Sequence, residues 1–191
     1  MATVDPHPST GPGDLELVRR FVNTLDIEAQ RDALASPLDA SAWLREQGWP
    51  VRLCRSELRE LVRLREALRD IVSAPGTPAE QAAGRSIDAV ALRHPVVVRV
   101  TSPTVLAPSS KGAASAFIER ILALVAAARI DGTWDRLKAC ANDECRWLFY
   151  DHSRNRSRTW CTMDLCGSRA KMRAYRGRAR STSKTRSRSS E

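Results

Sequence analysis

Apolar residues recur at helical spacing along most of the first 130 positions. Leu15, Leu17, Val18, Phe21, Val22 and Leu25 mark a first helix, with Asp14 placed to cap it. A short second helix, AWLREQ, is expected to start from Asp39 or Ser41 and to stop at Gly48 and Pro50. The clearest stripe lies in residues 56–73, where Leu58, Leu61, Val62, Leu64, Ala67, Leu68, Ile71 and Val72 share a face and charged residues fill the rest. Ser56 is its expected cap, and Pro75, Gly76 and Pro78 break it. Another helix is predicted over 79–92, ended by His94-Pro95.

The pattern then changes. Val96–Thr101 is β-branched and reads as a strand, with a second short strand near Val105 to pair with it. Gly112–Ile130 reads as a long, mostly buried helix with Asp131-Gly132 as its stop. Glu119, Arg120 and Arg129 interrupt its apolar run, so it falls short of a membrane span. The expectation is a mainly α fold: a helical domain with one small β-hairpin over 14–132, after a leader, 1–13, expected to be disordered.

Beyond residue 132 the apolar periodicity gives way to cysteines and aromatics. Cys140, Cys145, Cys161 and Cys166 read C-x4-C-x15-C-x4-C, and Trp134, Trp147, Phe149, Tyr150 and Trp160 surround them. Four thiolates in two close pairs suit a tetrahedral Zn²⁺ site with no open position, which is structural rather than catalytic. The same four ligands also suit an iron–sulfur cluster. His152 reads as a surface or DNA-facing histidine, with a place among the ligands as the alternative. Cys54 stands apart and reads as a small buried apolar residue. The expected layout over 133–180 is knuckle, β-hairpin, helix. Asn142-Asp143 turns the knuckle. Arg146–Asp151 is the first strand, 152–158 the turn and Thr159–Cys161 the return strand. Thr162 caps a helix from Met163 to about Arg178.

Charge follows the same division. The chain carries 31 Lys+Arg against 22 Asp+Glu, net +9. Residues 134–191 hold 15 basic and 6 acidic residues, so the whole excess lies in the cysteine-rich end. That asymmetry is the footprint of a nucleic-acid-binding segment attached to a neutral domain. Arg154, Arg156 and Arg158 alternate, which in an extended strand puts them on one face. Arg169, Arg173 and Arg176 share a helix face, with Lys171 and Arg178 nearby. The end from 181 to 191, STSKTRSRSSE, is low-complexity Ser/Arg and is expected to be disordered.

The segment RLKACANDECRWLFYDHSRNRSRTWCTMDLCGSRAKMRAYRGR, residues 136–178, resembles the CGNR zinc-finger family of bacterial transcription regulators. The matching pieces are C-x4-C, FYD-x-SRNRSR, WC-x4-CG and RAK-x-RAY. Ser168 stands where the family name implies asparagine, and a serine there keeps a polar capping group. Phe21–Asp26 (FVNTLD) and Leu64–Arg69 (LREALR) resemble the helical ABATE domain that accompanies the finger in that family. The resemblance implies a sensory or oligomerising domain joined to a zinc-bound DNA reader.

The function expected is therefore a zinc-dependent, DNA-binding transcription regulator, with one Zn²⁺ per chain held by the four cysteines. Two alternatives stay open: an RNA- or ribosome-associated zinc finger, and a protein-interaction module with a structural zinc. A homodimer would multiply the affinity of one small finger. Residues 1–14 show no secretory signal, and the expected location is the cytoplasm, at the nucleoid. No H-E-x-x-H, P-loop or dinucleotide fingerprint is present, so an enzyme is not expected. Asn23, Asp26 and Glu28 form the one candidate polar ligand pocket, weighed against a solvated or capping face.

Overall fold

A computed structural model describes residues 10–100, 105–110, 112–173, 175 and 176. Most of the expected leader, all of the Ser/Arg tail and Arg178 lie outside the described residues. The element order is α1 Leu15–Val22, β1 Leu25–Asp26, β2 Arg31–Asp32, α2 Pro37–Glu46, α3 Arg55–Ser73, α4 Pro78–Ala91, β3 Val96–Arg99, β4 Val105–Pro108 and α5 Ala113–Asp131. A 3-10 turn, Thr133–Arg136, then leads into β5 Leu137–Ala139 and β6 Leu148–Tyr150. A π-helical turn, Met163–Gly167, opens the last helical segment, residues 168–173 with 175 and 176. The fold is mainly α, with three small antiparallel hairpins among the described residues.

The helices begin where local chemistry satisfies their first N–H groups, not always at the residue the pattern picks out. Ser36 caps α2, accepting from Asp39 N at 3.2 Å, with Pro37 set in the first turn. This moves the start ahead of the expected Asp39 or Ser41. Ser41 is instead buried and accepts from Leu53 N at 3.0 Å. Cys54, not Ser56, caps α3, and its own N–H donates to Glu57 Oε2 at 2.7 Å to complete a capping box. Cys54 is therefore exposed, contrary to the buried apolar role expected of it. Thr77 and Pro78 start α4 in the same manner as Ser36 and Pro37. Asp14 makes no side-chain cap on α1 and pairs with Arg120 of α5. Gly132, at φ +77°, ends α5 in the left-handed conformation that favours glycine.

The main core gathers around Phe117 of α5. Its ring meets Phe21, Trp43 and Trp49 edge-on, with centroids 5.5, 6.0 and 5.6 Å away. Leu61, Leu64 and Leu68 of α3 and Val18 and Val22 of α1 close around it. This core does not stop at residue 132, because Trp134, Leu137, Leu148 and Tyr150 belong to it.

Strand β6 is the seam. Leu148 and Tyr150 point into the helical core, while Trp147 and Phe149 point into a second cluster built on Cys140, Cys145, Cys161 and Cys166. Period-two alternation lets one short strand wall two cores. Its partner is β5, in register Leu137↔Tyr150 and Ala139↔Leu148. The return strand expected at Thr159–Cys161 is not formed. That stretch contributes Thr159 O to Ala141 N at 3.1 Å but no ladder, because β5 already occupies the edge.

The other edge of β6 meets α1. Asn23 Nδ2 donates to Leu148 O and Asn23 Oδ1 accepts from Leu148 N, both at 2.8 Å. One buried side-chain amide thus substitutes for a neighbouring strand. Arg69, fully buried, donates to Val22 O at 2.6 Å and to Arg146 O at 3.1 Å, tying α1, α3 and the knuckle together. Burial lowers the basicity of the Arg69 guanidinium, which Glu66 partly offsets at 3.2 Å. Replacing Asn23 by alanine leaves the Leu148 N–H and C=O unpaired in a dry seam. We expect a loss of about 2 kcal/mol in urea unfolding. An unchanged midpoint would show that Asn23 does not hold the strand.

Candidate metal centre

The four expected ligands come together. Every Sγ of Cys140, Cys145, Cys161 and Cys166 lies within 4.8 Å of the others, and all four residues are buried. Cys145 and Cys161 are 3.7 Å apart and Cys161 and Cys166 3.6 Å. A tetrahedron of thiolates bonded at 2.3 Å has an edge of about 3.8 Å, so the pocket has the size of one zinc ion. A multi-iron cluster spreads its thiolates over several irons and needs a wider frame. His152 is not part of the set. It is exposed, its Nε2 lies 2.8 Å from Thr10 O, and its ring packs against Tyr150.

Local backbone chemistry builds this pocket. Asn142 O accepts from Cys145 N at 2.8 Å and Arg146 N at 2.9 Å, closing the knuckle, and Arg146 turns the chain at φ +49°. Cys140 N donates to Trp147 O at 2.9 Å, which locks the knuckle across β5 and β6. Cys161 arrives by the loop, and the π-helical turn after Thr162 presents Cys166. Gly167 is buried against that turn. A Cβ there would overlap Met163 Sδ and press on the Trp160 ring.

Four buried thiols this close resist ionising together. Cys140 is pulled down to about 2 by hydrogen bonds from Cys145 and Cys161. Cys145 is pushed up to about 12, chiefly by its bond to Cys140, and Cys161 is pushed up by Cys140, by Cys145 and by burial. Burial raises Cys166 as well. The cluster as a group takes up a first negative charge more readily than any further one. A divalent ion reverses that balance and holds all four as thiolates.

Below the pocket, the loop 152–158 hangs on Asp151. This carboxylate is fully buried. It accepts from Lys138 Nζ at 2.8 Å, Ser153 N at 2.9 Å and Arg158 N at 3.0 Å. Burial alone would raise its pKa, but Lys138, Ser153 and the Ser153 and Arg158 amides hold it well below the usual carboxylate range. Stability from this group is therefore present above about pH 4 and is lost as pH falls towards the depressed folded value.

The basic residues take different postures. Arg154, Arg156 and Arg158 do not share a strand face, because the loop is a turn: Arg156 N donates to Ser153 O at 3.3 Å and Arg156 sits at φ +50°. Arg154 and Arg156 are exposed. Arg158 turns inward, its guanidinium 5.0 Å from the centre of the Phe149 ring, with Nε donating to Trp160 O at 3.0 Å. On the last helical segment Arg169, Lys171, Arg173 and Arg176 are exposed. Arg169, Arg173 and Arg176 line a shallow groove of about 380 Å³ with Leu165 and Met172. Arg169 pairs with Glu28, and Arg173 Nη2 donates to Asn142 Oδ1 at 3.1 Å. Ser168 Oγ donates to Met163 O at 3.2 Å.

Asn23, Asp26 and Glu28 each turn to a partner within the protein. Asn23 holds β6, Asp26 accepts from Ala29 N at 2.9 Å, and Glu28 faces Arg169. The sequence marks Asn142 only as a turn residue of the knuckle and does not mark Lys138 at all. Neither a buried amide beside a thiolate nor a lysine under a loop leaves a periodic signal.

A mainly helical body joined to a closed four-thiolate finger is the build of a zinc-binding regulator. The chain belongs to the ABATE family, described as "Putative stress-induced transcription regulator", whose pattern matches residues 15–133. Residues 136–179 match the CGNR zinc finger. Neither description names an enzyme. No curated protein matches the sequence. Among the described residues no helix is long and apolar enough to cross a membrane.

Zinc content and loop stability test this construction. Purified protein should carry one zinc per chain by elemental analysis, and acidification should release it as protons reclaim the thiolates. Cys145→Ser should abolish stoichiometric zinc while most far-ultraviolet helicity remains. Full zinc retention in that variant would remove Cys145 from the ligand set. Asp151→Asn keeps the shape but turns an amide towards Lys138 and the Arg158 N–H. It should cost about 3 kcal/mol at pH 7 in urea unfolding of the zinc-loaded protein.

Proposed function

We propose that this protein is a zinc-dependent DNA-binding transcription regulator, in which the finger contacts DNA and the helical body senses a signal or dimerises. The observation that carries the reading is the set of exposed cations on the finger. Arg154 and Arg156 project from the loop, and Arg169, Lys171, Arg173 and Arg176 project from the last helical segment. Both elements hang on the same metal pocket, through Cys161 and Cys166. Zinc is then the structural prerequisite of binding and takes no part in any reaction.

Phosphate contacts supply affinity and base contacts supply choice of sequence. The loop arginines suit the first role, because they sit on a short turn at the periphery. The helical segment suits the second, since a helix fits the major groove. Arg178, which the sequence reading adds to this set, lies outside the described residues. Arg158 supports the loop from within rather than meeting DNA itself. A regulator of this kind works in the cytoplasm, at the nucleoid.

Dimerisation belongs to the same reading. One finger offers little interface, and two half-sites multiply affinity. The hairpin β3–β4 favours it, because Val97 and Val98 are 39% and 62% exposed on a two-stranded sheet.

The test is binding of the zinc-loaded chain to a random DNA pool across a salt series. Six exposed cations predict a slope of log affinity on log salt near about −5. Replacing Arg154 and Arg156 together by alanine should reduce that slope by about two without releasing zinc. Chelation should abolish binding. Structured RNA that outcompetes DNA at equal salt would overturn the DNA reading in favour of RNA. Full zinc with no affinity for either would leave an acidic protein as the partner.

A further inference from the structure

The exposed arginines of the finger differ in one respect: Arg173 is anchored to the metal pocket itself. Asn142 forms the link. Its residue is 3% exposed, yet its side-chain amide makes two polar contacts. Oδ1 accepts from Arg173 Nη2 at 3.1 Å, and Nδ2 donates towards Cys166 Sγ at 3.9 Å. Its backbone carbonyl meanwhile takes Cys145 N and Arg146 N at 2.8 and 2.9 Å, so the residue cannot drift from the knuckle.

We infer that Asn142 is a positioning residue that holds Arg173 as the base-reading arginine of the finger, for a guanine edge in the major groove. The inference rests on the DNA-binding reading above and names the part of the surface that discriminates among sequences. Arg–guanine pairing needs two parallel N–H bonds to O6 and N7, so the guanidinium plane must be fixed. Arg carries five N–H donors in a planar fork. One bond to Asn142 orients the plane and leaves the remaining donors for a ligand. An arginine without such an anchor must lose side-chain freedom on binding, and that suits phosphate better than a base edge.

The competing cations lack this arrangement. Arg169 faces the carboxylate of Glu28, so a DNA contact there has to displace an ion pair. Arg158 faces inward over Phe149. Arg156 lies 3.8 Å from Asp135, with both groups at least half exposed. Arg158 is held by neutral carbonyls, of Trp160 and Cys161, but they turn it inward; Arg173 is exposed and held by a neutral, buried acceptor, which fixes its direction without cancelling its charge.

The same link makes its posture depend on the metal. A zinc-bound thiolate attracts the Asn142 N–H, and hydrogen bonds around ligating sulfurs are a usual means of fixing what surrounds a metal. The amide then has its N–H turned to Cys166 and its oxygen turned to Arg173. Flipping it would set the oxygen against a thiolate and the NH₂ against a guanidinium.

The experiment measures relative affinities of the zinc-loaded chain over a DNA library, with zinc content and the salt slope measured on the same samples. Wild type should prefer guanine at one position at least about tenfold over other bases. Arg173→Ala should flatten preference at that position only. Asn142→Ala should flatten the same position by about the same factor, with one zinc retained and the salt slope unchanged. Asn142→Asp keeps an acceptor for Arg173, so the preference should return while zinc becomes easier to chelate. Arg173→Lys, which leaves the pocket intact, should keep the salt slope and lose most of the preference. Selective wild-type binding that Arg173→Lys does not alter would overturn the inference and leave the DNA reading standing. So would zinc-loaded Asn142→Ala with full preference, or DNA binding without sequence preference. Absence of DNA binding in wild type would overturn both.

Discussion

Four cysteine sulfurs within 4.8 Å of one another, shielded from water, can all be thiolates together only if a cation sits among them. The rest of the finger is arranged around that requirement. Its own apolar contribution is small: Trp147, Phe149 and Trp160 beside the cysteines. A cluster of that size does not offset the chain entropy of ordering some forty residues. Zinc closes the knuckle onto the loop and the π-helical turn, and these carry the arginines. Loss of the ion would therefore scatter the basic surface rather than merely loosen it.

The helical body meets this module through one strand. Leu148 is the meeting point: its side chain is in the helical core, its backbone is paired with Asn23, and its neighbours Trp147 and Phe149 line the metal cluster. Arg69 reinforces the seam from α3 by holding carbonyls of both parts. Buried arginines are costly unless each donor finds an acceptor, and here the acceptors are backbone carbonyls that the irregular turns leave over. A change in the packing of α1 or α3 therefore has a short physical route to the knuckle. That is the route a sensing domain would need.

Much of this was legible in the residues. Helical periodicity located α1, α3, α4 and α5, and β-branching located β3 and β4, because each is a repeated pattern. The cysteine spacing picked out the metal ligands, since few arrangements of four close thiols make another kind of sense. What stayed hidden depends on a few contacts. Ser36 and Cys54 outcompete the expected caps Asp39, Ser41 and Ser56 through a pair of local hydrogen bonds each. The partner of β6 is β5, not Thr159–Cys161, because pairing is decided by which edge the main core leaves open. The alternating arginines of the loop follow a strand-like rule, but Asp151 gathers amides from both ends of the segment and folds it into a turn. The roles of Asn23 and Asn142 come from partners 125 and 31 positions away.

The alternation of β6 also bears on how such a chain can be rebuilt by recombination. The two family patterns divide at residues 133 and 136, which looks like a natural place to cut and join. The apolar core places no boundary there. A finger moved to another host would arrive with Leu137, Leu148 and Tyr150 bare, and the helical body left behind would have an open trough along α1. The two halves are therefore expected to have diversified as a pair, with compensating changes concentrated where Asn23, Arg69 and Leu148 meet. New partners for this finger would come from reshaping the helical host in place, and seldom from exchanging it.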